Sequence, residues 1–271
     1  MRQDPPLFAA LAALAADARL VFFAGLPGTG KSLLIHQLAH LAHGRGRAIH
    51  LLQWDVARPP FETSPPGRRY PLERGVTHGV IRLAVGRWAR AAVARWHAEH
   101  RGLGDLLIGE TPFIGHRLIE LARPRPDAAE AALTDAATRF VIPVPSPALR
   151  THLESERARR ARHPLHPRER EDASPSVLRE LWRELAGADV AYDPALYRRV
   201  YERLLVHRHA LALPLASRLP TDGVSAYDFR VPATDLLPTA AEIAQAIREV
   251  ETTYPDAAAV HLAIAGWRDT A

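Results

Sequence analysis

The chain contains no cysteine, which excludes disulfides, thiolate zinc sites and thiol nucleophiles together. It also lacks asparagine, and Lys31 is its only lysine among 35 Lys and Arg residues. No long apolar run stands near the start. Residues 7–16 form an uncharged stretch, but a bilayer span takes about 20 residues. That stretch has no basic leader and runs into Asp17 and Arg19, so it reads as an amphipathic or partly buried helix rather than a secretory signal. The expected location is cytoplasmic, with no membrane partner. No internal repeat or low-complexity linker interrupts the chain.

What is present suits a globular protein: 271 residues, 47% hydrophobic and 24% charged. One domain over residues 1–271 is the simplest account. The net charge of +5 invites a nucleic-acid partner. A polyanionic small molecule asks for a positive field equally well, and most basic residues are spread along amphipathic helices, so nucleic acid is not favoured.

Residues 20–24 (LVFFA) read as a buried parallel strand. After a glycine-rich turn, Leu34, Ile35, Leu38 and Leu41 have helical spacing, and Gly44 and Gly46 stop that helix. Residues 48–53 read as a second strand. Residues 58–71 hold five prolines and read as a surface loop. A long helix is expected over 77–100, with Val80, Ile81, Val85, Trp88, Ala92 and Trp96 near one side. Residues 106–109 and 139–144 read as further strands. Helices are expected at 148–162, 175–186, 194–209 and 239–252, and extended pieces at 210–215 and 225–229 as candidates for the last strand. Strands alternating with helices predict an α/β fold on a parallel sheet.

Gly25, Leu26, Pro27, Gly28, Thr29, Gly30, Lys31 and Ser32 fit G-x-x-x-x-G-K-[ST] between an apolar strand and an amphipathic helix. In that motif the glycines let the backbone curl so that N–H groups cradle a β-phosphate. The helix N-terminus adds partial positive charge. Lys31 is expected to bridge the β- and γ-phosphates, and the Ser32 hydroxyl to ligate Mg²⁺. The single lysine stands where a compact ammonium cannot well be replaced by a planar guanidinium.

With its Pro27-Gly28-Thr29-Gly30 interior, this segment resembles the P-loop kinase superfamily, from nucleoside and nucleotide kinases to gluconate-kinase-like and zeta-toxin-like kinases. The resemblance implies a P-loop NTPase three-layer sandwich with a helical, arginine-rich lid at about 150–175 and a mostly helical C-terminal part over 175–271. It implies ATP and Mg²⁺ as cofactors, a small-molecule acceptor as partner, and transfer of the γ-phosphate to an acceptor hydroxyl.

Glu110 closes the third strand, in a place similar to a Walker B acid. The usual residue there is Asp, so Glu110 departs from the pattern, and its competing role is a capping or loop acid. Asp105 would lie at the strand's opposite end. Asp55 follows the second strand, where kinases of this class commonly orient the acceptor hydroxyl. Beside it Trp54 either walls the acceptor pocket or fills core.

Arg157, Arg159, Arg160, Arg162, Arg168 and Arg170 crowd one segment. As a lid they would neutralise charge on the transferring group and expel water, with Arg157, Arg160 and Arg162 the candidates. The competing reading is an RNA-contacting patch. Residues between 68 and 90 are expected to line the acceptor site, where Arg68, Arg69 and Arg82 are either anion contacts or surface charges. The alternative to a kinase is an NTPase whose hydrolysis drives a conformational or nucleic-acid-associated role. The histidines show no metal-ligand spacing; His36, His40 and His43 share a helix side, but packing beside the turn argues against a metal cage there.

Overall fold

The computed structural model describes residues 4–269 apart from 172, 188, 219–224, 226, 227, 229 and 230. In chain order the elements are α1 (Pro5–Asp17), β1 (Leu20–Ala24), α2 (Lys31–His43), β2 (Ala48–Gln53), α3 (Trp54–Thr63), α4 (Gly79–Glu99), β3 (Asp105–Thr111), α5 (Ala128–Leu133) and β4 (Thr138–Pro145). They continue with α6 (Pro147–Arg162), α7 (Pro175–Ala186), α8 (Pro194–Leu204), β5 (Ala210–Leu215), β6 (Thr234–Asp235), α9 (Ala240–Thr253) and α10 (Ala257–Ala265).

The strands form one parallel sheet in the order β5-β4-β1-β3-β2-β6. Strand β1 is buried at every position, as a central parallel strand covered on both faces should be. Alternate residues feed two cores. Phe22, Leu107, Phe140 and Ile142 pack with α3, α4, α8 and α9 on one side. Val21, Phe23, Ile108 and Val141 pack with α1 and α2 on the other. Helices on both faces of the sheet make three layers.

Gly109 lies opposite Phe22 in the β1–β3 register. A Cβ there would come within 2.3 Å of the Phe22 ring, so the glycine makes room for the Phe22–Phe140 stack at 4.9 Å. Pro143 falls beyond the stretch of β4 that pairs with β1, where a missing N–H costs little.

The expected loop over 58–71 is corrected. Residues 54–63 are helical despite Pro59 and Pro60 inside the helix. Trp54, Ala57 and Phe61 give it one buried face, and Phe61 meets Trp88 of α4 edge-on at 6.1 Å. Burial of that face outweighs the lost backbone bonds. Helix α8 ends at Leu204 rather than near 209, because Arg208 turns inward and its side chain is fully buried. Helices α5 and α10 add to the expected set. The extended piece at 225–229 lies mostly outside the described residues, and β6 pairs with β2 instead. No helix among the described residues is long and apolar enough to cross a membrane.

Candidate active site

The chain leaves β1 toward β2 on one side, with β3 between them, and later crosses from β3 to β4 on the other side of β1. In open parallel sheets, ligand sites lie beyond the carboxyl ends of the strands at such a reversal. A cleft of about 1400 Å³ opens there. A single small ligand typically fills about 300–1,000 Å³, so this cleft has room for two.

Its floor is the 25–32 turn. Gly28 and Gly30 have φ of 76° and 86°, in the left-handed region that glycine enters without strain. Gly30 caps α2 with no side-chain hydrogen bond and no acidic residue in the first turn. The first N–H groups of α2 therefore lack an intrahelical or side-chain acceptor. Pro27, Gly28, Gly30, Lys31 and Ser32 line the cleft. Gly25, Leu26 and Thr29 are buried beneath it and hold the turn's shape: Thr29 Oγ1 donates to the Leu26 carbonyl at 2.8 Å.

The Lys31 ammonium donates to the same Leu26 carbonyl at 2.8 Å and lies 3.2 Å from Glu110 Oε1. Burial depresses the Lys31 pKa, Glu110 opposes that shift, and the Arg157 charge adds to it. Glu110 is the sixth residue of β3 and reaches the cleft beside β1, its neighbour in register being Phe23. Asp105 opens that strand at the far end, as expected.

Asp55 follows β2, as expected, and lines the cleft from the first turn of α3. Trp54 both lines the cleft and is buried in the core. Across the cleft, α6 presents Arg157 and Arg160, the latter 3.5 Å from Glu169 Oε1. Arg162, expected with them, is exposed and its Nε donates to the Ala158 carbonyl within its own helix. The Arg168 side chain lies outside the described part. Of the arginines weighed near the acceptor site, Arg82 lines the cleft, whereas Arg69 pairs with Glu251 at 2.7 Å.

Several residues at the site were beyond sequence reasoning. Tyr197 of α8 is wholly buried, and its hydroxyl accepts from Leu26 N–H at 3.3 Å. Burial pushes its pKa up, keeping the hydroxyl protonated. Arg117 reaches the cleft from the loop after β3. Phe113, Gly115, His116 and Leu118 all have positive φ there. Backbone bonds between Phe113 and Arg117 hold that loop, as does Tyr201, which donates to the Pro112 carbonyl at 2.9 Å.

His50, His100 and Asp105 come together with candidate ligand atoms within 4.8 Å of one another. They are drawn from β2, the end of α4 and the start of β3, so their spacing in sequence gave no sign of it. His36, His40 and His43 form no such group among the described residues. Compared with known proteins, the chain matches no family model, no curated protein and no solved structure.

Proposed function

We propose that the chain is an ATP-dependent phosphotransferase: it binds a Mg²⁺-nucleoside triphosphate on the 25–32 turn and passes the γ-phosphate to a hydroxyl of a second molecule in the same cleft. The observation that carries this reading is the uncapped start of α2 under a turn with left-handed Gly28 and Gly30, in one cleft with the ion pair of buried Lys31 and half-buried Glu110. Uncapped backbone N–H groups with an ammonium beside them suit a polyphosphate.

The residues present fit magnesium. Ser32 and Glu110 offer hard oxygen donors, which suit this ion, and it usually takes few protein ligands beside water and phosphate. When bound, Mg²⁺ would neutralise charge on the β- and γ-phosphates. Glu110 would exchange Lys31 for the ion, freeing the ammonium for phosphate. Asp55 would accept the acceptor's proton as its oxygen bonds to the γ-phosphorus, while the bridging P–O bond breaks and ADP leaves with that electron pair. Arg157 and Arg160 would meet the negative charge on the transferring group. The room beyond the turn favours a second substrate over simple hydrolysis. Arg160 is already turned inward to Glu169, which favours the lid over an RNA-contacting patch.

Titration with Mg·ATP followed by labelled-ATP assays over sugars, nucleosides and antibiotics tests the reading. The expected result is saturable binding and ADP release that depends on an acceptor. Absence of any association at millimolar Mg·ATP or Mg·GTP would overturn it, and acceptor-independent release would replace it with an NTPase.

A further inference from the structure

We infer that the acceptor is an acidic compound whose phosphate, sulfate or carboxylate group is seated between Arg82 and Arg117; this inference rests on the phosphotransfer reading above. Arg82 extends from the first turns of α4, and Arg117 from the left-handed loop after β3. Both line the cleft. They flank one glycine: a Cβ placed on Gly115 would lie 3.4 Å from Arg82 Nη1 and 3.5 Å from Arg117 Nη1.

A guanidinium carries five N–H donors, and these two use few of them. Arg82 Nη1 donates to the Gly115 carbonyl at 2.8 Å, and Arg117 Nη1 to the Ile114 carbonyl at 3.2 Å. The Arg82 Nε is buried with no hydrogen-bond partner. Among the described residues no carboxylate lies within ion-pair distance of either. Two other buried arginines are matched by carboxylates: Arg90 meets Asp127 and Glu130 at 2.7 and 2.8 Å, and Arg208 meets Glu130 at 2.7 Å. Buried Arg47, away from the cleft, meets main-chain carbonyls instead.

Burial, followed by the neighbouring Arg117 charge, works against the Arg82 cation. Glu184 acts on both cations, Glu73 on Arg82 and Asp55 on Arg117, all from beyond ion-pair distance. Two half-buried like charges without a contacting counter-charge are costly. An anion with two or three oxygens offers both forks matching acceptors. Position supports the same assignment. Asp55 lines the same cleft as Lys31, Arg82 and Arg117, and its carboxylate acts electrostatically on both Lys31 and Arg117. An acceptor lying across Asp55 would present its hydroxyl to the γ-phosphate and its acidic group to Arg82 and Arg117.

The test uses the whole chain saturated with Mg·AMPPNP, so that the 25–32 turn is filled, and titrates it with sulfate and with inorganic phosphate. Wild type should bind these at millimolar levels, and the Arg82→Met/Arg117→Met double variant should lose at least tenfold, with Mg·AMPPNP affinity within twofold. Arg117→Met alone, whose known bond is to a local carbonyl, serves if the double variant fails to fold. Arg117→Lys keeps the charge without the fork and should recover part of the binding. In transfer assays, gluconate and glucose 6-phosphate compared with glucose, and nucleoside monophosphates compared with nucleosides, should show turnover confined to acidic members. Equal anion binding by wild type and variants, or equal use of neutral and acidic partners, overturns the inference. Failure of Mg·AMPPNP itself to bind counts against the phosphotransfer reading instead, and sulfate titration of nucleotide-free wild type and variants then still decides the anion site.

Discussion

The ammonium of Lys31 and the carboxylate of Glu110 form an ion pair at 3.2 Å, with side-chain exposures of 3% and 18%. Two groups with separate proposed ligands thus neutralise one another beforehand. Each must be released when Mg²⁺-nucleotide arrives, and the pair keeps a buried ammonium from standing alone. Lys31→Met should reduce Mg·ATP affinity at least a hundredfold while leaving a cooperative thermal transition. Lys31→Ala is the poorer probe, since it opens a cavity beside the unpaired Glu110. Glu110→Gln should spare nucleotide binding measured in EDTA and weaken it in Mg²⁺. Equal loss in both conditions would remove Glu110 from the metal.

A pH dependence follows from the same pair. Burial depresses the Lys31 pKa, despite the opposing attraction of Glu110. The ammonium therefore loses its proton below its usual value near 10.5. Nucleotide affinity should fall as pH rises through that lowered value, and Lys31→Met should show no such alkaline limb. For stability the sign is opposite. The unfolded chain binds more protons at this residue between the lowered value and 10.5, so the folded state gains stability as pH rises across that window. Nucleotide titration and chemical denaturation, each run from pH 8 to 10 on both proteins, read the two effects separately.

Tyr197 tests whether the turn's shape matters for binding. Its hydroxyl accepts from Leu26 N–H at 3.3 Å and would lie 2.3 Å from a Cβ on Gly25. Tyr197→Phe removes one neutral hydrogen bond, worth about 0.5–1.5 kcal/mol. Mg·ATP should bind roughly two- to tenfold more weakly. Gly25→Ala forces the hydroxyl and the turn apart and should cost far more. Adding Tyr197→Phe to Gly25→Ala should restore part of the loss, because it deletes the clashing atom. No recovery would mean that the glycine is required for another reason.

The sheet and the turn were legible in the sequence because their signals are local. The run at 20–24, the glycines and lysine of the turn, and the apolar period along α4 each lie within one element. The buried set Val80, Ile81, Val85, Trp88, Ala92 and Trp96 matches expectation. Helix α3 was hidden because Pro59 and Pro60 signal a break, whereas its stability comes from Phe61 against Trp88 on another helix. Tyr197 and Arg117 were out of reach for a similar reason. Tyr197 is 171 residues from its partner Leu26, and Arg117 owes its place to a loop of left-handed residues with no sequence motif. The position of Arg162 on the outer side of α6 depends on helix rotation, which an arginine-rich stretch with almost no apolar period does not reveal.

Away from the cleft, Glu130 joins two buried arginines. It accepts from Arg208 Nη1 at 2.7 Å and from Arg90 Nη2 at 2.8 Å, and those side chains are 0% and 3% exposed. Arg90 is further held by the Glu120 carbonyl at 2.6 Å and by Asp127 at 2.7 Å. The network ties α4, α5 and the turn between α8 and β5 together. Burial opposes ionisation of Glu130, but hydrogen bonds from Arg208 and Arg90 outweigh it and hold its pKa below the usual carboxylate value. At Asp127 the Arg90 bond is itself the largest influence, in the same direction. Depressed carboxylate values mean stability that is complete above the unfolded pKa and is lost as pH falls through the folded one. The thermal midpoint should therefore drop as pH falls below about 4.5. Glu130→Gln leaves two buried guanidiniums short of charge, which should cost about 3 kcal/mol at neutral pH. At roughly 2–4 °C per kcal/mol, its midpoint should fall by about 6–12 °C and its acid dependence should flatten. A midpoint within about 2 °C of wild type at pH 7 would show that water, not Glu130, satisfies Arg90 and Arg208.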